Sequence, residues 1–303
     1  MEKMRQEEMK MIDIHADDFG ESLHASNEII ECLKAGKLDS ISILSNMSCF
    51  QSCVKIYRDA EPSFVKKPLL SVHINLVDGK PLSDLDEISD LLDKDGYLCA
   101  SWEKLFLKSF LPGRGNIKKQ IKKEIKAQVR AVQDAFPECA SLRIDSHRHT
   151  HMIPIVADAL FEAIEEEEWN VTYIRDAREP LSPFLKTMSL YKTYKPINFI
   201  KNIMLRFCSL LLAPKFRRMG LEPMYLWGLA MSGYMDIMRV DRLLNNMKRV
   251  AIRNERTLEI LFHPGRVLKS EISEEFNQAE SVLFYISNDR EIEKETVMNG
   301  NWK

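Results

Sequence analysis

Residues 143–151 read Arg143-Ile144-Asp145-Ser146-His147-Arg148-His149-Thr150-His151. The chain has seven histidines, and three of them fall here at spacing two. In an extended segment, side chains alternate between faces, so His147, His149 and His151 are expected to point the same way. Imidazoles converging at a strand end are natural donors to a divalent metal. A single histidine would read as a satisfied core residue. Three in array beside Asp145 read as a metal or catalytic cluster.

Outward from this stretch, strand and helix alternate. Upstream, 11–16 (MIDIHA) reads as a short strand running into Asp17-Asp18-Phe19-Gly20. Two adjacent carboxylates repel unless a cation lies between them or one is protonated. Helical spacing follows over 22–33, then a strand at 41–44 and a helix at 52–60. Residues 69–76 (LLSVHINL) form a third strand carrying His73 near its end. The segment 117–136 is an amphipathic helix with many lysines. Its apolar row Ile121, Ile125, Val129 and Val132 fits a helix solvated on one face better than a nucleic-acid surface.

Downstream, a helix over 155–166 runs into four glutamates at 165–168, and a strand over 171–175 places Arg175 at its end. Residues 180–223 break the rhythm and read as a basic, Met-, Phe- and Leu-rich helical insertion that could cover a site mouth or face a subunit. A helix at 240–253 and a late strand at 258–262 follow, ending in His263-Pro264-Gly265. Such alternation indicates βα units and a mostly parallel sheet. Residues 1–10 read as an N-terminal extension and 11–303 as one barrel domain.

Composition excludes several classes. A net charge of −2 gives no reason to expect nucleic acid or an anionic membrane as partner. The six cysteines are scattered with no CxxC pair, which suits reduced thiols in a cytoplasmic protein. The N-terminus lacks the apolar run of a signal peptide. The apolar segment 197–214 is interrupted by Lys201, Asn202 and Arg206, so it reads as a buried or interface helix rather than a bilayer span.

Four strands thus end in polar residues: Asp17 and Asp18, His73, Asp145 with His147, and His263. In a parallel βα barrel all strand C-termini open on one face, where residues 250 positions apart in sequence meet. One carboxylate and two imidazoles hold a divalent ion with positions open for water and substrate. A second carboxylate off the metal can take a proton from water, and a histidine across the pocket can give one to a leaving group. No Gly-rich phosphate loop or nucleophile elbow is present, so hydrolysis is favoured.

HADDFG, VHINLVDGKPLS, RIDSHRHTHMIP and FHPG, in this order over roughly residues 11–290, resemble the YdjC-type carbohydrate deacetylases. The resemblance implies a deformed (β/α) barrel of the polysaccharide deacetylase type, with a helical insertion. It also implies removal of acetyl groups from N-acetylglucosamine units of short oligosaccharides, such as chitooligosaccharides, with one divalent metal ion (Mg²⁺ or Zn²⁺). Carried across by motif, Asp18, His73 and His147 look like the metal ligands, Asp17 the general base and His263 the acid or transition-state stabiliser. Asp145, His149, His151 and Arg175 look like supporting or substrate-facing groups. The chain departs from the family pattern at Val72, Val77 and Phe262, which bears on substrate more than on metal. Other readings are an amidohydrolase-type barrel acting on a non-sugar amide, and a non-catalytic metal- or sugar-binding relative. The expected partner is a small oligosaccharide, with no nucleic acid or membrane, and homo-oligomers remain open.

Overall fold

A computed structural model describes residues 12–302, so the expected extension over 1–10 lies outside the described residues. Seven strands are present among them: β1 (Ile12–Phe19), β2 (Ser40–Ile43), β3 (Leu69–Ile74), β4 (Leu142–Ser146), β5 (Val171–Ile174), β6 (Met224–Trp227) and β7 (Thr257–Phe262). They pair in the order β5-β4-β3-β2-β1-β7-β6, and every pairing is parallel. The edge strands β5 and β6 do not pair directly. Irregular backbone after β5 closes the seam, with Leu226 N donating to Arg178 O (3.1 Å) and Asp176 N to Met224 Sδ (3.4 Å). The result is the deformed (β/α) barrel that the motifs imply.

The outer layer begins with α1 (Leu23–Lys34), α2 (Phe50–Ala60), α3 (Trp102–Lys108), α4 (Gly115–Ala135) and α5 (Pro154–Glu166). It continues with α6 (Ser182–Lys186), α7 (Pro196–Arg218), α8 (Ile237–Arg253), α9 (Ala279–Tyr285) and α10 (Asp289–Asn299). Ser22 caps α1, its Oγ accepting from Ala25 N at 3.1 Å. The lysine row of α4 pairs with the acidic end of α5: Lys118 with Glu162, Lys126 with Glu166 and Glu167, and Arg130 with Glu167. These partly exposed ladders join the basic run of α4 to the acidic end of α5. Glu124 departs from that solvated face. It is buried and accepts the backbone N–H groups of Leu82 and Ser83, each at 3.0 Å.

Strand alternation sorts the barrel into two layers. Ile14, Ala16, Ile41, Ile43, Val72, Ile74, Ile144 and Ile260 are buried in one apolar core cluster with helix residues such as Ile29, Ile121 and Leu160. The opposite parity of the same strands carries Asp13, His15, Asp17, Ser40, Ser42, Ser71, His73, Arg143, Asp145, Tyr173 and Glu259. These groups bond to one another across the barrel. His15 Nδ1 and Nε2 meet Ser40 Oγ and Ser42 Oγ, both at 2.6 Å. Arg143 pairs with Asp13 at 3.1 Å and lies 3.9 Å above the Tyr173 ring. Ser42 donates to Asp145, and Tyr173 to Glu259. Parallel barrels ordinarily fill this space with branched apolar side chains. Here the interior is polar, which is tolerable only because each charge has a partner.

Candidate metal centre

The carboxyl end of β1 departs from simple alternation. Neighbours on a strand normally face opposite ways, which would separate Asp17 from Asp18. Asp18 instead has φ 68°, and the register between β1 and β2 shifts between Ala16 and Phe19. That left-handed turn costs on the order of 1 kcal/mol for a residue with a Cβ. It brings both carboxylates to the barrel mouth, where both are almost fully buried. Gly20 follows at φ 98°, and a Cβ there would meet Leu44 O at 2.4 Å, so only glycine lets the chain turn away.

Asp18, His73 and His147, from the ends of β1, β3 and β4, each offer a ligand atom, all within 4.8 Å of one another. Asp18 Oδ1 lies 3.4 Å from His73 Nε2 and 3.0 Å from His147 Nδ1. The other nitrogen of each ring is occupied. His73 Nδ1 meets Asp145 Oδ1 at 2.5 Å, and His147 Nε2 meets the Tyr285 hydroxyl at 2.7 Å. Tyr285 in turn donates to Asp78 Oδ2 at 2.6 Å. An Nε2–H of His147 donated to that phenol oxygen would free Nδ1 for a cation beside Asp18. Each imidazole is thus oriented by a carboxylate, one directly and one through a phenol. Metal-binding histidines ordinarily carry such a support.

Charge is tightly managed here. Burial pushes the Asp18 carboxyl up, but His147 and Arg290 outweigh it and hold Asp18 well below the usual carboxylate range. Arg290, from α10, reaches Asp18 Oδ2 at 2.6 Å and also pairs with Glu21. Burial disfavours charge on His73, yet Asp17 and Asp145 overcome it and raise the imidazole to about 10. In the metal-free protein a proton on His73 therefore takes the place of a cation. The donor set fits a divalent ion: one carboxylate oxygen and two ring nitrogens, with compensating groups already behind them.

Arg175 is the hub beneath this cluster. It is fully buried just beyond β5 and clasps both oxygens of Asp17 at 2.8 Å each. It also approaches Asp145 Oδ2 at 3.0 Å and Glu259 Oε1 at 2.7 Å. Burial acts upward on Asp145, but Arg175 and then His73 pull it to about 2. Asp17 is likewise raised by burial and brought well below its ordinary value by Arg175, His73 and His15.

The histidine array does not continue the strand. β4 ends at Ser146, and His147–Met152 form a tight 3₁₀ segment in which Arg148 and His149 adopt left-handed φ of 54° and 56°. The three rings therefore diverge instead of sharing a face. His147 turns to Asp18. His149 has its Nδ1 buried with no hydrogen-bond partner among the described residues. Burial and then Arg175 push its imidazole well below the usual range, so it is neutral. His151 bonds Ser146 Oγ at 2.6 Å and the Arg175 carbonyl at 2.8 Å, so it supports the Arg175 backbone from behind. His263 stands one residue beyond the Ala16–Phe262 register pair, level with Asp17. Its backbone N–H donates to Glu293 Oε2 at 2.6 Å, and its ring meets Phe284 edge-on.

Sequence reading did not single out His15, Asp78, Glu259, Tyr285 or Arg290. The Asp13-His15-Asp17 alternation carried a signal for the first. Asp78 lies inside the quoted VHINLVDGKPLS stretch, while Glu259, Tyr285 and Arg290 sit outside the quoted motifs. A cavity of about 510 Å³ opens at the opposite end of the strands, lined by Ile12, Asp39, Leu258 and Trp302 among others. It lies away from all of these groups and no histidine lines it.

The family model described as YdjC-like protein matches residues 11–303. A carbohydrate deacetylase of Thermoanaerobacter pseudethanolicus is 30% identical over 155 residues, covering 51% of this chain and 56% of that protein. One from Danio rerio is 27% identical over 180 residues, covering 58% and 52%. The chain spans little more than half the length of these curated relatives. A crystal structure from Enterococcus faecalis V583, of a protein whose name refers to cellobiose-phosphate cleavage, matches with a TM-score of 0.62 at 16% identity. That match covers 96% of this chain and 91% of the other, and it establishes likeness of fold.

Proposed function

The chain belongs to the YdjC-like family, and from that premise we propose that it is a metal-dependent carbohydrate deacetylase. The substrate we propose is the N-acetylglucosamine unit of a short oligosaccharide of the chitooligosaccharide type. The observation that carries this reading is the convergence of Asp18, His73 and His147 from three strands, each imidazole backed by its own acid. The names of the curated relatives support the reaction class.

Asp18, His73 and His147 would hold one divalent ion, Mg²⁺ or Zn²⁺. Such an ion supplies polarisation of an acyl oxygen and a more acidic water. Asp17 is the base: Arg175 keeps it anionic and ready to accept a proton from water. The same clasp lowers its proton affinity, so a proton taken there is readily passed on. His263, level with Asp17 across the β1–β7 pair, is the candidate donor to the departing amine. His149, kept neutral by burial and by Arg175, is a supporting group behind this cluster. Arg175, Asp145 and Tyr285 act by positioning.

The test is acetate release from N-acetylated chitooligosaccharides by purified, metal-loaded protein. Release that disappears on chelation and in His73→Ala supports the assignment. Absence of acetate across a broad N-acetyl sugar panel defeats it, and sugar binding without turnover would mark a non-catalytic relative instead.

A further inference from the structure

Helix α7 has its faces reversed. Its buried side carries Asn198, Asn202 and Ser209 along with Leu205, Cys208 and Leu212. Its solvent side carries Ile197, Ile200, Ile203, Phe207, Leu210 and Leu211, with Ile203 58% and Leu210 63% exposed. A helix on a globular protein normally turns its apolar stripe to the core. Here hydrogen bonds replace apolar burial. Asn202 donates to Glu179 at 2.5 Å and Arg206 to the Glu179 carbonyl at 2.9 Å. Asn198 reaches the Ala230 and Ser232 carbonyls at 3.3 and 3.4 Å. Glu179 is itself pinned by the backbone N–H groups of Gly228, Leu229 and Ala230. The outward face is therefore held outward by its own anchor.

The charge around that face selects its occupant. Residues 180–223 contain eight Lys or Arg against the single Glu222, a net +7 in a chain whose total is −2. Lys192, Lys201, Arg217 and Arg218 are exposed, and none makes an ion pair with a described acid. On a helical projection, Lys201 flanks one side of the stripe and Arg217 the other, and long basic side chains placed so can extend to headgroup level. A second copy laid face to face would bring two such cationic borders together, whereas anionic headgroups would neutralise them. The helix is long and apolar enough to cross a bilayer, but its Asn198, Asn202 and Arg206 bonds tie it along the barrel.

We propose that α7 docks the protein on an anionic lipid surface, lying in the plane of the interface with Ile200, Ile203, Phe207 and Leu210 among the upper acyl chains. Each basic residue near such a surface contributes about fivefold to partitioning, and the contribution is screened by salt. The inference does not depend on the deacetylase reading, because its readout needs neither metal nor substrate.

The experiment is sedimentation of the full chain with vesicles of phosphatidylcholine alone or mixed with phosphatidylglycerol. Binding to the mixed vesicles that weakens in high salt is expected. It should drop more than tenfold in Ile203→Asp/Phe207→Glu, and about fivefold per charge in Lys201→Glu and Arg217→Glu. Because these side chains are exposed, unchanged circular dichroism should accompany the loss. No binding to anionic vesicles by the native chain overturns the proposal. So does a stable dimer by light scattering that Ile203→Asp dissociates, which would give the face to a second copy.

Discussion

Arg175→Met isolates the cost of a charged barrel interior. The native guanidinium is fully buried against Asp17, Asp145 and Glu259. Methionine keeps much of the volume but leaves three carboxylates without their main cation. Removing one partner of a buried ionic group costs about 3–5 kcal/mol, because the remaining charge is neither solvated nor paired. With a urea dependence of about 3 kcal/mol per molar for a chain of this size, the midpoint should fall by about 1–1.7 M. Metal-free protein is the right material, since bound metal adds its own stabilisation.

The pH dependence of that loss gives a second check. Native Asp145 lies at about 2, below its ordinary 3.8, because Arg175 and His73 outweigh burial. A depressed carboxylate contributes stability above its unfolded value and loses it as pH falls through the folded one. Without Arg175 this depression is relieved, and the crowded carboxylates take up protons at higher pH. The deficit of the variant should therefore be largest at pH 7 and smaller at pH 4.5. A loss below 1 kcal/mol, or one equal at both pH values, would refute the reasoning that Arg175 neutralises the interior.

Two further outcomes concern the metal centre. Tyr285→Phe removes the hydroxyl linking His147 to Asp78 and should weaken metal affinity about 10–100-fold with little change in thermal midpoint. An unchanged affinity by calorimetry would show that the phenol does not orient the ring. Since His73 sits near 10 when metal-free, a divalent ion must displace its proton. Apparent affinity should thus rise about tenfold per pH unit between roughly pH 6 and 9, with about one proton released on binding. A flat profile would mean that His73 is already neutral.

Much of this site was legible because a parallel barrel gathers strand ends on one face. Asp17, Asp18, His73, Asp145 and His147 all follow apolar strand stretches that can be seen in the sequence. What escaped has physical reasons. β6, Met224–Trp227, is buried throughout and has no polar-apolar alternation, so its four residues carry no period. The polar parity of β1 was visible, but a polar face ordinarily means solvent, and nothing local reveals that it lines a barrel. The left-handed turn at Arg148 and His149 uses neither glycine nor asparagine, so the strand period was extended too far. Tyr285 and Arg290 come from late helices, and only tertiary folding carries them to Asp18 and His147. The reversed face of α7 could not be read either, because apolar residues occur on both of its sides and the sequence does not say which is buried.

The most direct measurement is anomalous diffraction from a crystal of the protein loaded with Zn²⁺ or Mn²⁺. The expected result is one strong peak bonded at about 2.0–2.2 Å to Asp18, His73 Nε2 and His147 Nδ1. A peak elsewhere, or none in a well-ordered crystal, would contradict the metal centre and with it the hydrolytic chemistry built on these three strands.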